Sequence, residues 1–127
     1  MQLKLGKMEY QLYLGIDAMK YLDSVYKIVD STTGFEFGFG VNALVANFEM
    51  LNILAMVHFI KAGTSTESKK PSNRDIEEFL GTLDEDGLEN LFKEAKEELK
   101  KQPLTRLQMK KMEQSTKKAN GEAKIEK

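Results

Sequence analysis

The sequence predicts a small, mostly helical α+β domain: an N-terminal β-hairpin packed on a bundle of about five helices, followed by a flexible C-terminal tail. Three observations lead to this fold class. Apolar and polar residues alternate over residues 1–14, which is typical of paired strands. Apolar residues then recur at three- and four-residue intervals, which is typical of amphipathic helices. Residues 41–60 are apolar at fifteen of twenty positions, so the other elements are expected to cover them.

The first fourteen residues are expected to form the hairpin. Gly6-Lys7 interrupts the alternation, and a glycine in the first central position suits a two-residue type II′ turn. Such a turn places Leu3 opposite Tyr10 and Leu5 opposite Met8, so the apolar pairs share one face. Two strands alone are marginally stable in water, so this face must lie on the helices.

A helix is predicted over about residues 16–30, with Asp17 near its start. Its apolar stripe consists of Ala18, Leu22, Val25, Tyr26 and Val29. The polar residues 31–34 then indicate a loop. Residues 35–40 read FEFGFG and suit either a short strand or an ordered loop, and their aromatic side chains are expected to plug the core.

The central run reads VNALVANFEMLNILAMVHFI. Its length approaches that of a membrane span, but Glu49 and three asparagines argue against a span. The run is therefore predicted to form the core of a small soluble domain. Two helices, about 41–49 and 51–62, are expected to meet near the break between Asn47 and Asn52. Met50 and Met56 are expected to fill the core.

Two further helices follow a polar loop. Ser72 and Asp75 form a capping-box pattern that begins a helix over about 73–82. Thr82 or Asp84 begins another, over about 85–101. These elements complete a single globular domain over residues 1–102.

Charge divides the C-terminal half unevenly. From Arg74 to Phe92 there are seven acids and one base, a net of −6, and from Lys93 to Lys127 the net is +5. Residues 103–127 are predicted to form a basic helix or tail that is partly disordered, because almost nothing after Ser115 can be buried. This segment offers partner contacts, and the candidate residues are Leu104, Arg106, Leu107, Met109, Lys110, Lys111 and Met112.

The composition argues against several classes of function. No cysteine occurs, which removes thiolate metal sites and cysteine nucleophiles. The single histidine, His58, has no second strong ligand at a metal-binding spacing, so a hydrogen-bonded structural histidine is expected. No general acid–base pair can be nominated, so no catalytic, metal or cofactor site is predicted and the protein is not expected to be an enzyme. The first residues do not form a signal peptide, which favours the cytoplasm.

The ordered features resemble the tail assembly chaperones of long-tailed, siphovirus-type phages or prophages of Gram-positive bacteria. The features that carry the resemblance are the hairpin MQLKLGKMEYQLYL, the helix with KYLDSVY, the glycine-rich stretch before the apolar helix pair, the segment KKPSNRDIEEFL, the acidic connector LDEDGLENLF and the lysine-rich end. The resemblance covers nearly the whole chain, although no motif is by itself a chemical signature.

The resemblance implies a function in the cytoplasm of the bacterial host. Chaperones of this family bind the tape measure protein, keep it soluble and help the tail tube polymerise around it, and they are not retained in the virion. The tail tube protein would be contacted mainly through a longer form made by ribosomal frameshifting. Self-association is a further expectation, whereas membrane binding is not expected.

A small regulatory or nucleic-acid-binding protein is the alternative. Arg106, Lys110 and Lys111 would then contact the phosphate backbone, and binding would weaken steeply with salt. Against this, no aromatic residue follows Phe92 to stack on bases.

Overall fold

The computed structural model describes residues 1–29, 31–34 and 36–125. Its elements in chain order are β1 (Gln2–Leu5), β2 (Met8–Gln11), α1 (Ile16–Val25), β3 (Lys27–Val29), β4 (Glu36–Gly38), α2 (Gly40–Glu49), α3 (Ile53–Gly63), α4 (Asn73–Gly81), α5 (Glu85–Lys101) and α6 (Pro103–Ile125). This confirms the predicted fold class, a mostly helical α+β domain that begins with an antiparallel hairpin.

The hairpin has the predicted register. The facing residues are Gln2 and Gln11, Leu3 and Tyr10, Lys4 and Glu9, and Leu5 and Met8. A type II′ turn requires a positive φ at its first central residue only. Gly6 has a φ of 65° and Lys7 does not have a positive φ, so both residues fit the predicted turn. Leu5 and Tyr10 are buried, while Met8 at the turn is more than one-third exposed.

Polar contacts fix the hairpin on the helices. The hydroxyl of Tyr10 donates to the carbonyl of Lys69 at 2.9 Å. The side chain of Gln102 donates to the carbonyl of Leu12 at 3.0 Å and accepts from the backbone N–H of Leu14 at 2.7 Å. The same amide donates to Glu98 at 2.8 Å. Burial alone would raise the pKa of Glu98, but hydrogen bonds from Gln102 and the Met1 amino group lower it on balance.

The prediction of one helix over residues 16–30 is wrong at its C-terminal end. Helix α1 ends at Val25, and strand β3 then pairs antiparallel with β4. β-Branched residues restrict χ1 and favour strands, so Ile28 and Val29 suit a hairpin once a partner strand follows. Phe39 is exposed instead of plugging the core, and residues 30 and 35 lie outside the described part of the chain.

Helices α2 and α3 form the centre of the core, as the apolar run predicts. Phe48 of α2 meets Phe59 of α3 and Phe92 of α5 edge to face, with ring centroids 5.7 Å and 5.4 Å apart. Met56 is fully buried, which confirms its predicted place. Within the described residues, no helix is long and apolar enough to cross a membrane.

The next two helices begin at the predicted caps. Ser72 and Asp75 form the reciprocal hydrogen bonds of a capping box before α4. Asp84 caps α5 by accepting from the N–H of Gly87 at 2.7 Å. Both caps satisfy backbone donors that would otherwise have no partner in the first helical turn.

Helix α6 packs on the domain through its first turns. Thr105 and Met109 are buried, and Gln108 donates to Asn42 of α2. The sequence predicts that the globular domain ends at Gln102, but these contacts join the start of α6 to the core. Helix α6 is described to Ile125, and residues 126–127 lie outside the described residues.

Candidate functional site

A patch of exposed apolar side chains lies where the central run reverses direction between α2 and α3. We call Met50, Leu51, Ile53 and Leu54 the corner patch, and their exposed fractions lie between 41% and 70%. The prediction that Met50 fills the core is therefore wrong. Apolar patches of this kind mark interaction surfaces more often than isolated exposed leucines do.

The corner is ordered by an asparagine network. Asn52 caps α3 by accepting from the N–H of Leu54 at 3.1 Å, and its amide donates to the side chain of Asn47 at 2.9 Å. Asn47 in turn donates to the carbonyl of Ala43 at 2.8 Å. Between the helices, Leu51 has a φ of 55°, the only positive φ among the described non-glycine residues. A leucine in this conformation is strained by about 1–2 kcal/mol.

A shallow groove runs from the corner patch along the line where α2 faces α5. It consists of three hollows of about 280, 410 and 1010 Å³, and neighbouring hollows share lining residues. The corner end is lined by Leu51, Ile53, Glu85, Leu88, Glu89 and Phe92, and the far end by Asn42, Val45, Ala46, Glu49, Lys96, Met109, Met112, Glu113 and Ser115. From Glu85 to Lys96 helix α5 rises about 16 Å, which matches about three turns of a bound helix.

Charge changes along this groove. The corner end carries Glu85 and Glu89 and no basic residue. In the middle, the ammonium group of Lys96 on α5 forms an ion pair with Glu49 on α2, which crosses the groove. The apolar floor and acidic corner end can hold an amphipathic helix by the helix-in-groove mode.

The seven predicted partner-binding residues do not form one surface. Leu104 and Leu107 are exposed, as are Arg106, Lys110 and Lys111. Met109 is only 2% exposed and belongs to the core, while Met112 is half-buried. The two methionines line the far end of the groove, whereas the leucines and basic residues are absent from its lining.

His58 occupies a structural site. Its Nδ1 lies 3.1 Å from the hydroxyl of Tyr21, and its ring meets Tyr26 edge to face at 5.7 Å. Burial, and then the charge of Lys61, lower the pKa of His58. Burial also raises the pKa of Tyr21. Among the residues described, no cluster of three or more His, Cys, Asp or Glu side chains could hold a metal ion.

The comparison with protein families decides between the two functions that the sequence left open. A family model described as "Phage tail assembly chaperone protein, TAC" matches residues 2–114, which is nearly the whole chain. The chain belongs to this family of tail assembly chaperones. No curated protein and no solved structure gave a match.

Membership of this family indicates a protein that acts by binding other proteins during tail assembly. For such a chaperone, the corner patch and the groove are the candidate surfaces for binding other proteins. Sequence reasoning missed the corner patch because it treated residues 41–60 as uniformly buried. The available signal was the break between Asn47 and Asn52, since a chain reversal normally lies at the surface.

Proposed function

We propose that this chaperone binds and solubilises the tape measure protein of a siphovirus-type phage and assists polymerisation of the tail tube around it. It acts in the cytoplasm of a Gram-positive host and is not retained in the virion. Family membership and the ordered resemblance along the chain support this proposal. The observation that carries it is the exposed corner patch next to an apolar groove.

The tape measure protein is a very long, apolar, helical client in this proposal. Such a client exposes apolar stripes until the tube encloses it, and a groove about three helical turns long can cover one section of a stripe. Met50 at the corner and the half-buried Met112 at the far end suit variable client sequences because methionine repacks easily.

The exposed start of α6 is a second proposed client contact. Leu104 and Leu107 provide apolar area, and Arg106, Lys110 and Lys111 provide positive charge. We further propose that a frameshift-extended form of the chain carries the main contact with the tail tube protein. Residues 103–127 would then connect the globular body to that extension.

Coexpression with the tape measure protein from the same tail gene cluster tests the proposal. The tape measure protein should appear in the soluble fraction with the chaperone and in the pellet without it. An unrelated helical protein of similar size, coexpressed at the same level, is the control. Equal solubility with the chaperone and with the control would contradict the proposal.

A further inference from the structure

A separate hollow of about 260 Å³ lies between the end of α3 and the start of α4. We call it the loop hollow, because the loop that connects these helices forms much of its wall. Its lining includes Tyr21, Lys61, Thr64, Ser65, Lys70 and Asn73. None of these residues lines the groove between α2 and α5, so the loop hollow is a different surface from the proposed client site.

The loop hollow is lined by two lysines and by no acidic residue. Among the residues that the structure describes, neither Lys61 nor Lys70 forms an ion pair. Lys61 lies in the last turn of α3, where the helix dipole favours a cation. Lys70 belongs to no helix, so the dipole does not explain why a second positive charge lies here. Two ammonium groups beside one hollow repel each other, and an anion bound between them would be attracted by both.

Hydrogen bonds hold the walls of the loop hollow in place. Thr64 is buried, and its hydroxyl donates to the carbonyl four residues earlier at 2.9 Å. The hydroxyl of Ser65 donates to the carbonyl three residues earlier at 2.7 Å. Farther along the loop, the carbonyl of Lys69 accepts from the hydroxyl of Tyr10 at 2.9 Å, and Pro71 is buried. Because the loop backbone is already ordered, a ligand would bind here at little cost in conformational entropy.

The donors that remain for a ligand are those that bind an oxyanion. The hydroxyl hydrogens of Thr64 and Ser65 are used within the protein, so they are not available. The ammonium groups of Lys61 and Lys70 and the exposed side-chain amide of Asn73 can still donate. Charge-assisted hydrogen bonds from ammonium groups to a carboxylate are among the strong ones.

We propose that the loop hollow binds the carboxylate of an aspartate or glutamate side chain in an acidic segment of a partner protein. The hollow has room for one oxyanion group, whereas nucleic-acid affinity comes from many phosphate contacts along a strand. The aromatic ring in the lining, Tyr21, lies against His58 with ring centroids 6.1 Å apart, so it does not offer a free face to a base. The chaperone can therefore hold an acidic segment here while the groove holds an apolar one.

Titration of the purified full-length chain with a hexaglutamate peptide, followed by amide NMR at constant ionic strength, tests for this site. Saturable shifts should be confined to residues 61–73 and to the part of α1 around Tyr21. A hexaglutamine peptide at the same concentrations should cause no shifts, because it lacks the carboxylates. No saturable shift with hexaglutamate, or shifts spread over the lysines of every helix, would overturn the proposal. Tighter binding of a thymidine oligonucleotide with six phosphates at the same residues would also overturn it, in favour of nucleic acid.

Substitutions of the two lysines locate the site. K61Q/K70Q should weaken hexaglutamate binding by at least about fivefold, because both ammonium groups are lost. K61R/K70R should retain binding, since arginine keeps the positive charges. K4Q/K101Q is the matched control, because it removes two exposed lysines that do not line the loop hollow, and binding should be unchanged. Equal losses in K61Q/K70Q and K4Q/K101Q, or a loss in K61R/K70R as large as that in K61Q/K70Q, would overturn the proposal.

Discussion

The central run contains two regions that are similar in sequence and opposite in environment. Its flanking parts, around Phe48 and from Ala55 to Ile60, are largely buried; both helices pack on α1, and Phe48 also meets Phe92 of α5. The corner between them exposes four apolar side chains of the same kinds. Hydrophobicity alone therefore does not decide burial here; the position of the chain reversal does.

The exposed region is held by hydrogen bonds of its own. The side chains of Asn47 and Asn52 connect the two helices, and Leu51 is held at a positive φ between them. Strained backbone persists where the surrounding structure imposes it, and such positions cluster at functional sites. A corner held in this way presents its apolar side chains in a fixed arrangement that a partner can recognise.

Truncation of a methionine should change the free energy of unfolding very differently in the two regions. Met56→Ala removes a fully buried side chain and should lower the free energy of unfolding by about 2–5 kcal/mol. Met50→Ala should change it by less than about 0.5 kcal/mol, because Met50 is 70% exposed. Urea denaturation followed by circular dichroism measures both. Equal losses would mean that Met50 is packed in solution.

The cap residue Asn52 should contribute much of the local stability of the corner between α2 and α3. Asn52→Ala removes the side-chain acceptor for the N–H of Leu54 and should cost about 1 kcal/mol of stability. Hydrogen exchange should quicken at the first turn of α3 while α5 stays protected. Asn73→Ala is the control, because Asn73 is exposed in the first turn of α4 and the cap there is Ser72.

Relief of strain at Leu51 should raise stability and reduce partner binding. Leu51→Asn places a residue that tolerates positive φ in the strained position, so stability should rise by on the order of 0.5–1 kcal/mol. The same change removes one apolar side chain from the corner patch, so solubilisation of the client should fall. Thermal unfolding and the coexpression assay measure the two effects, and a loss of stability would show that Leu51 packing outweighs the strain.

The smallest expected effect is a pH dependence of the stability, which arises from His58 in the largely buried part of the central run. Burial lowers the pKa of His58 below its ordinary value of about 6.5, so the unfolded chain binds a proton before the folded chain does. Stability should therefore fall as the pH drops from 6.5 towards the lower pKa of the folded state. His58→Gln should flatten the dependence in denaturation at pH 7.5 and 5.5, whereas Asn52→Ala should not.

Much of the fold could be predicted from local sequence signals. The hairpin register follows from Gly6 and the alternation around it, and helices α4 and α5 begin at residues whose side chains cap them. The pairing of β3 with β4 could not be predicted in the same way. It depends on a partner strand beyond a loop, and Val29 also fits the stripe of the preceding helix.

The candidate site was harder to predict because exposure is a tertiary property. Leu54 and Met56 belong to the same helix and the same apolar run, yet only Met56 faces the core. Met109 fits a partner-binding stripe in sequence, but α6 turns it inward against the domain. Helical spacing places residues on faces, but it does not reveal which faces the other elements cover.

The most direct test of the account changes the corner patch alone and measures the soluble yield of coexpressed tape measure protein. M50Q/L54Q should reduce that yield strongly. Ile16→Gln should leave it unchanged, because Ile16 is as exposed as Leu54 but lies outside the corner patch. If M50Q/L54Q remains folded and solubilises the tape measure protein as well as the unaltered chain does, the corner patch is not the client surface.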